Sequence, residues 1–233
     1  MKDLSTSGET RVEHAVRSIR DFIRASRLRV GDELPSEAHF ATQLGVSRAV
    51  TREAFGALAA LRLIDVGNGR RARVGAIDGS VMGASLDHAV VTAQVSMAQI
   101  WDVRRTLELR TVELAALHRS DQDAKLILQL ADCMAEQHAD LEALTQHDIA
   151  FHQAIARASG NALFVQIVRS FEGLMRNAVP AAWQTRTTED QRQSMLRQHR
   201  EIAGAIADSD PVAASDTMNT HFDTSIGDLF KRL

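Results

Sequence analysis

The chain has 233 residues, 45% apolar and 24% charged, with a net charge of -3, a balance ordinary for a globular protein. It has no Tyr, 8 Phe, 2 Trp and only three prolines, which argues against a β-sandwich or barrel and for a mostly helical chain. A single cysteine excludes an internal disulfide and a thiolate metal cluster, and a polar N-terminus without any apolar run of about 18 residues argues for a soluble, cytoplasmic protein with no membrane partner.

Charge is unevenly spread. Residues 1–75 carry 13 Lys and Arg against 9 Asp and Glu, while residues 76–233 carry 14 against 21. A basic front and an acidic back fit a nucleic-acid-binding module fused to a domain with another task.

In chain order, residues 11–26 place Val12, Val16, Ile19 and Ile23 on one stripe, the pattern of an amphipathic helix. Ser36 caps a second helix with Glu37 at its positive end, Phe40, Ala41 and Leu44 form its buried side, and Gly45 closes it in a left-handed turn. Ser47 caps a third helix whose stripe is Val50, Ala54, Leu58 and Leu61. Arg48, Thr51, Arg52 and Ala49 lie off that stripe near the N-terminus, where a helix entering the major groove presents side chains to base edges and phosphates. Two short β-type runs, 64–66 and 71–74, flank Gly67-Asn68-Gly69 as a hairpin, and Arg70, Arg71 and Arg73 make it basic. Taken singly, two helical arginines are surface charges; the glycine turn before them and the hairpin after them make a winged helix-turn-helix.

Leu34-Pro35-Ser36-Glu37, Leu44-Gly45-Val46-Ser47-Arg48, Arg52-Glu53-Ala54-Phe55, Leu58, Leu61 and Gly69-Arg70 resemble the DNA-binding domain of GntR-family transcription regulators. The resemblance covers about the first third of the chain. It implies Ser36, Ser47, Arg48, Arg52, Asn68 and Gly69 as DNA contacts. Ala38 departs from the pattern, because the family often has Arg there, so operator preference is expected to differ.

Residues 76–85 are rich in Gly, Ala and Ser and read as a linker between domains at 1–75 and 86–233. Helices are expected at 86–93, 96–118, 121–138, 141–158, 161–178, 188–208 and 211–231, joined shortly enough for an antiparallel bundle. Three of their apolar stripes are interrupted. Asp148 and His152 stand among Leu141, Leu144, Phe151 and Ile155; His199 among Met195, Ile202 and Ile206; His221 among Ala214, Met218, Phe222 and Ile226. Each could be a hydrogen-bonded core residue by itself. Together they match a divalent metal site with open positions, since burying each separately is costly.

Residues 96–222 resemble the effector domain of the FadR branch of the same family, the FCD type. The matches are Arg104 with Leu107-Glu108 and Ala115-Ala116, Asp148 with Phe151-His152, the turn Ala158-Ser159-Gly160-Asn161, His199 and His221. This implies that Asp148, His152, His199 and His221 hold a divalent ion, zinc first among zinc, nickel, manganese and iron. A small organic or sugar acid then completes its shell, with Arg104 as carboxylate clamp and Asn161 beside it. For Arg104 a salt bridge with Glu108 is the competing reading. The expected protein is mainly α, with an N-terminal winged helix-turn-helix and a C-terminal antiparallel all-α bundle. As a homodimer on a pseudo-palindromic double-stranded operator it would be a metabolite-responsive regulator, a repressor by preference, and not an enzyme. A helical metallohydrolase and a purely dimerising bundle are the alternatives.

Overall fold

The computed structural model describes residues 8–67 and 69–226. The chain divides into two compact units that meet between Val81 and Met82.

The first unit opens with α1 (Arg11–Ala25), which Thr10 and Glu13 start as a reciprocal capping box. α2 (Glu37–Leu44) is capped by Ser36 and closed by Gly45 at φ 64°, the left-handed geometry that glycine adopts without strain. α3 (Arg48–Ala60) follows after two residues, capped by Ser47. The helices meet over Ala15, Ile19, Leu34, Phe40, Ala54, Phe55, Leu58 and Ile64, with Phe40 edge-on to both Phe22 and Phe55. β1 (Ile64–Gly67) and β2 (Arg70–Val74) then pair antiparallel, with an irregular register between Asp65 and Gly67. Residues 31–34 run along β2: Leu34 N–H donates to the Ala72 carbonyl at 2.8 Å and Val74 N–H to the Asp32 carbonyl at 2.9 Å. The wing is thereby tied to the segment that leads into α2.

The second unit is helical among its described residues. α4 (Ser80–Val91) starts inside the stretch read as linker, six residues before the expected helix, and none of its residues is fully buried. Glycine and alanine there lowered the apolar signal without preventing helix formation. α5 (Met97–His118), α6 (Asp121–Glu136) and α7 (Leu141–Ala158) follow, capped by Ser96, Ser120 and Asp140. The expected helix at 161–178 is two helices, α8 (Ala162–Ser170) and α9 (Glu172–Thr185), broken at buried Phe171. Ser170 Oγ–H donates to the Ile167 carbonyl and Phe171 N–H to the Val168 carbonyl, bonds that tighten the chain at the break. α9 also continues through Pro180 to Thr185, seven residues beyond the expected end at 178.

α10 (Glu189–Ala207) and α11 (Pro211–Ile226) complete the bundle, and the expected residues 227–231 of the last helix lie outside the described residues. Val112, Ile127, Met134, Leu144, Phe151, Ile155, Ile202, Ile206 and Met218 form its main core. α5, α7, α10 and α11 all border that core, which is why polar residues on their inward faces meet. Among the described residues no helix is long and apolar enough to cross a membrane.

Candidate nucleic-acid interface and metal centre

In the first unit the N-terminal turn of α3 presents Arg48, Ala49 and Arg52 to solvent. Ser36, Ala38, Arg48, Arg52, Gly69 and Arg70 line one concave surface between α2, α3 and the wing. Ser36 and Ser47 accept the His39 and Val50 N–H groups at 3.2 and 3.3 Å. Each hydroxyl still has its own proton to donate, so a cap and a phosphate contact are compatible. Arg52 Nε lies 3.6 Å from Glu37 Oε2 with its side chain 77% exposed, a loose pair that leaves the guanidinium available. Gly69 is exposed at φ 71° and Arg70 is exposed beside it. Asn68 lies outside the described residues.

One expectation needs correction here. Thr51 is fully buried and its hydroxyl donates to the Ser47 carbonyl, so it packs the helix instead of facing a ligand. Its position one turn from Ser47 puts it on the inner side, next to Ala54 and Phe55. Arg73 is an exposed basic residue of the wing and also braces it, donating to the Gly31 carbonyl at 3.1 Å and to Glu33 at 2.7 Å.

In the second unit Asp148 and His152 from α7, His199 from α10 and His221 from α11 come together, each less than a tenth exposed. Ligand atoms of the three histidines lie within 4.8 Å of one another. The His199 and His221 rings are 4.5 Å apart, and His199 Nε2 is 3.2 Å from Asp148 Oδ1.

Hydrogen bonds fix how the rings face. His199 Nδ1–H donates to the Met195 carbonyl at 2.9 Å, because a carbonyl only accepts. A neutral His199 therefore turns a lone pair toward the Asp148 carboxylate. That pair of acceptors is stable only with a proton or a metal cation between them. His152 Nδ1–H donates to buried Glu108, and His221 Nδ1 lies 3.4 Å from Ser225 Oγ. All three Nδ1 atoms thus face protein partners, and Nε2 is the atom each ring offers inward. Such outer contacts orient imidazoles for a metal. The donor set, three imidazoles and a carboxylate in a buried pocket, fits a divalent ion.

Burial opposes ionisation of Asp148, but a hydrogen bond from His199 Nε2, present when that ring carries its second proton, and the charge of His152 hold its carboxyl well below the usual carboxylate range. Burial also disfavours charge on Glu108, and the Arg104 and His152 partners outweigh it and hold that carboxyl low too. His221 is pushed well below its ordinary 6.5 by burial first and then by His199 and His152. A folded-state histidine with a lowered pKa binds fewer protons than its unfolded counterpart, so its contribution to stability is lost as pH falls below 6.5. Urea unfolding of metal-free protein is expected to show a lower midpoint at pH 5.5 than at pH 7.5, with a slope of at most about 1.4 kcal/mol per pH unit from this group. His221→Gln should flatten the profile in that window.

A cavity of about 30 Å³ adjoins the cluster, lined by Trp101, Arg104, Ala182, Trp183, Arg186 and the four candidate ligands among others. Arg104 is 3% exposed and ion-pairs with Glu108, with its guanidinium over the Trp101 ring at 4.9 Å. The pair is real but buried, so the two readings of Arg104 are not exclusive. Asn161 does not reach this pocket: it is exposed and caps α8 by accepting the Leu163 N–H at 3.0 Å. Sequence reasoning missed Glu108 as the partner of His152 and Arg186 as a pocket residue. The four-residue spacing of Arg104 and Glu108 on α5 was the available signal for the first.

Two family models match parts of the chain. Residues 99–224 match the FCD domain, and residues 11–74 match the bacterial regulatory proteins of the gntR family. The Glc operon transcriptional activator of Escherichia coli K12 is 30% identical over 91% of this chain and 86% of its own length. LutR, an HTH-type transcriptional regulator of Bacillus subtilis, is 28% identical over 89% of this chain and 95% of its own. The transcriptional repressor NanR of Salmonella newport is 28% identical over 88% and 80%. A solved structure of Streptococcus agalactiae GntR superposes with a TM-score of 0.65 at 26% identity, covering 91% of this chain and 97% of that one. These relatives are regulators, not enzymes, which removes the metallohydrolase alternative. With a winged helix-turn-helix in front and an FCD bundle behind, the chain belongs to the GntR family of DNA-binding transcription regulators, in its FCD-containing branch.

Proposed function

We propose that this regulator is a homodimeric, metabolite-responsive repressor that binds a pseudo-palindromic operator. In this reading residues 1–75 read DNA through Ser36, Ser47, Arg48, Ala49, Arg52, Asn68, Gly69 and Arg70. Residues 76–85 connect them to a bundle, 86–233, that dimerises and binds effector. Asp148, His152, His199 and His221 hold a divalent ion, zinc by preference, and Arg104 receives the carboxylate of a small acid that completes the ion's shell. When bound, the ion supplies positive charge and open coordination positions for an anionic ligand.

The carrying observation is His199, whose Nδ1 is committed to the Met195 carbonyl while its Nε2 faces Asp148 at 3.2 Å. The small cavity beside it favours a short organic acid over a sugar acid. Repression is the simplest consequence of a dimer occupying promoter DNA, and among the relatives NanR is named a repressor whereas the Glc regulator is named an activator. Control requires the acid to bind one arrangement of the protein better than another.

Elemental analysis of protein purified without a metal-affinity tag tests the site. A bound divalent ion at about one per chain is expected; none, even after adding zinc, nickel or manganese, would sink it. A thermal-shift screen of short hydroxy acids and sugar acids, with and without metal, tests the effector class. Metal-dependent shifts confined to short acids are expected, and shifts by sugar acids alone would overturn that preference.

A further inference from the structure

Glu108 is none of the four candidate ligands, yet it touches both halves of the pocket. It is 1% exposed, on α5 one turn beyond Arg104. One carboxylate oxygen accepts from Arg104 Nε and the other from His152 Nδ1. Both partners are as buried as Glu108 itself, with side chains 4% and 3% exposed, so water does not compete for these bonds. The remaining edge of the Arg104 guanidinium meets the sulfur of Met175. A thioether is a weak acceptor, so an arriving carboxylate can replace it there while Glu108 keeps Nε.

We propose that Glu108 is a positioning residue that links the two ligands of this pocket, holding His152 with Nε2 toward the cation and Arg104 with its outer edge toward the effector's carboxylate. The proposal rests on the metal-and-acid reading given above. Its consequence is that ion and acid report on one another through a single buried carboxylate. Any movement of Arg104 onto an incoming acid is felt at His152, and linkage makes the effect reciprocal. A carboxylate behind a metal-bound histidine fixes the ring's tautomer and orientation, and losing such a partner typically weakens metal binding about 10- to 100-fold.

Glu108→Gln keeps the volume but leaves only one acceptor oxygen for two donors. In the full chain, zinc affinity measured by chelator competition is expected to fall about 10- to 100-fold, and acetate, the simplest carboxylate probe, should bind the zinc-saturated variant several-fold more weakly than the wild type. Unchanged zinc affinity in the variant, with the wild type binding zinc normally, would overturn the proposal and leave the metal site standing. Weaker zinc with unchanged acetate would overturn the link between the two. Wild-type protein that binds no zinc fails at the earlier reading instead. One measurement needs no variant: nitrogen NMR of the histidine side chains should show His152 protonated at Nδ1 in both metal-free and zinc-loaded protein, and a ring protonated on Nε2 alone, with Nδ1 bare, would refute the arrangement.

Discussion

Saturating the metal-free protein with zinc is expected to raise its unfolding temperature by roughly 8–16 °C. A ligand that binds only the folded state at about a thousand times its dissociation constant stabilises by about 4 kcal/mol, and each kcal/mol shifts a domain of this size by roughly 2–4 °C. The cluster is suited to produce a shift of that size because its cost is already present without the ion. Three buried imidazoles surround a buried carboxylate, and His199 turns its free nitrogen toward Asp148. A divalent cation replaces that unfavourable approach with attraction on every side. His199→Ala together with His221→Ala should abolish the zinc shift, because it removes two of the three imidazoles whose ligand atoms lie within 4.8 Å of one another. If the double variant kept the full shift, His199 and His221 would not be ligands and zinc would bind elsewhere on the chain.

Much of this was legible because the two relevant signals are local. The glycine turn at Gly45, the caps at Ser36 and Ser47 and the hairpin around Gly69 each constrain a few adjacent residues, and each is present in the structure. The four candidate ligands were legible for a different reason: a polar residue on an apolar helical stripe stands out whatever the helix packs against. What was not legible depends on contacts between distant positions. Thr51 and Arg48 sit three residues apart on one helix, and only the packing against α1 and α2 decides that one is buried and the other exposed. Asn161 lies in a turn that the family resemblance placed near the effector, whereas α8 uses it as a cap. Glu108 looked like the surface partner of Arg104 at helical spacing. Its burial, and its second bond to His152 from a helix 44 positions away, follow from how α5 meets α7. The division of 161–178 at Phe171 was hidden because Ser170 and Phe171 are neither glycine nor proline, and the break lies in side-chain and backbone bonds that no composition rule reports.

Arg48→Ala is expected to weaken operator binding by about 1–3 kcal/mol, roughly 5- to 150-fold, while changing affinity for random duplex little. Arg48 is the first residue of α3, exposed, with its backbone already ordered by the Ser47 cap. Alanine at that position keeps the helix, so the loss reads the side chain and not the fold. Its guanidinium stands at the helix end that a winged helix-turn-helix directs into the major groove, where a bidentate arginine distinguishes guanine. A phosphate contact would behave differently: affinity would fall equally on operator and random DNA, and the dependence on salt would weaken by about one unit of slope. Thr51→Val supplies the contrast. Its site is fully buried, with the hydroxyl bonded within its own helix, so it should alter the stability of the first unit and leave discrimination between operator and random duplex unchanged. Gel-shift titrations of both variants on both DNAs at two salt concentrations separate these cases. Equal discrimination by Arg48→Ala and wild type would remove Arg48 from base reading and move sequence recognition to Arg52 and the wing.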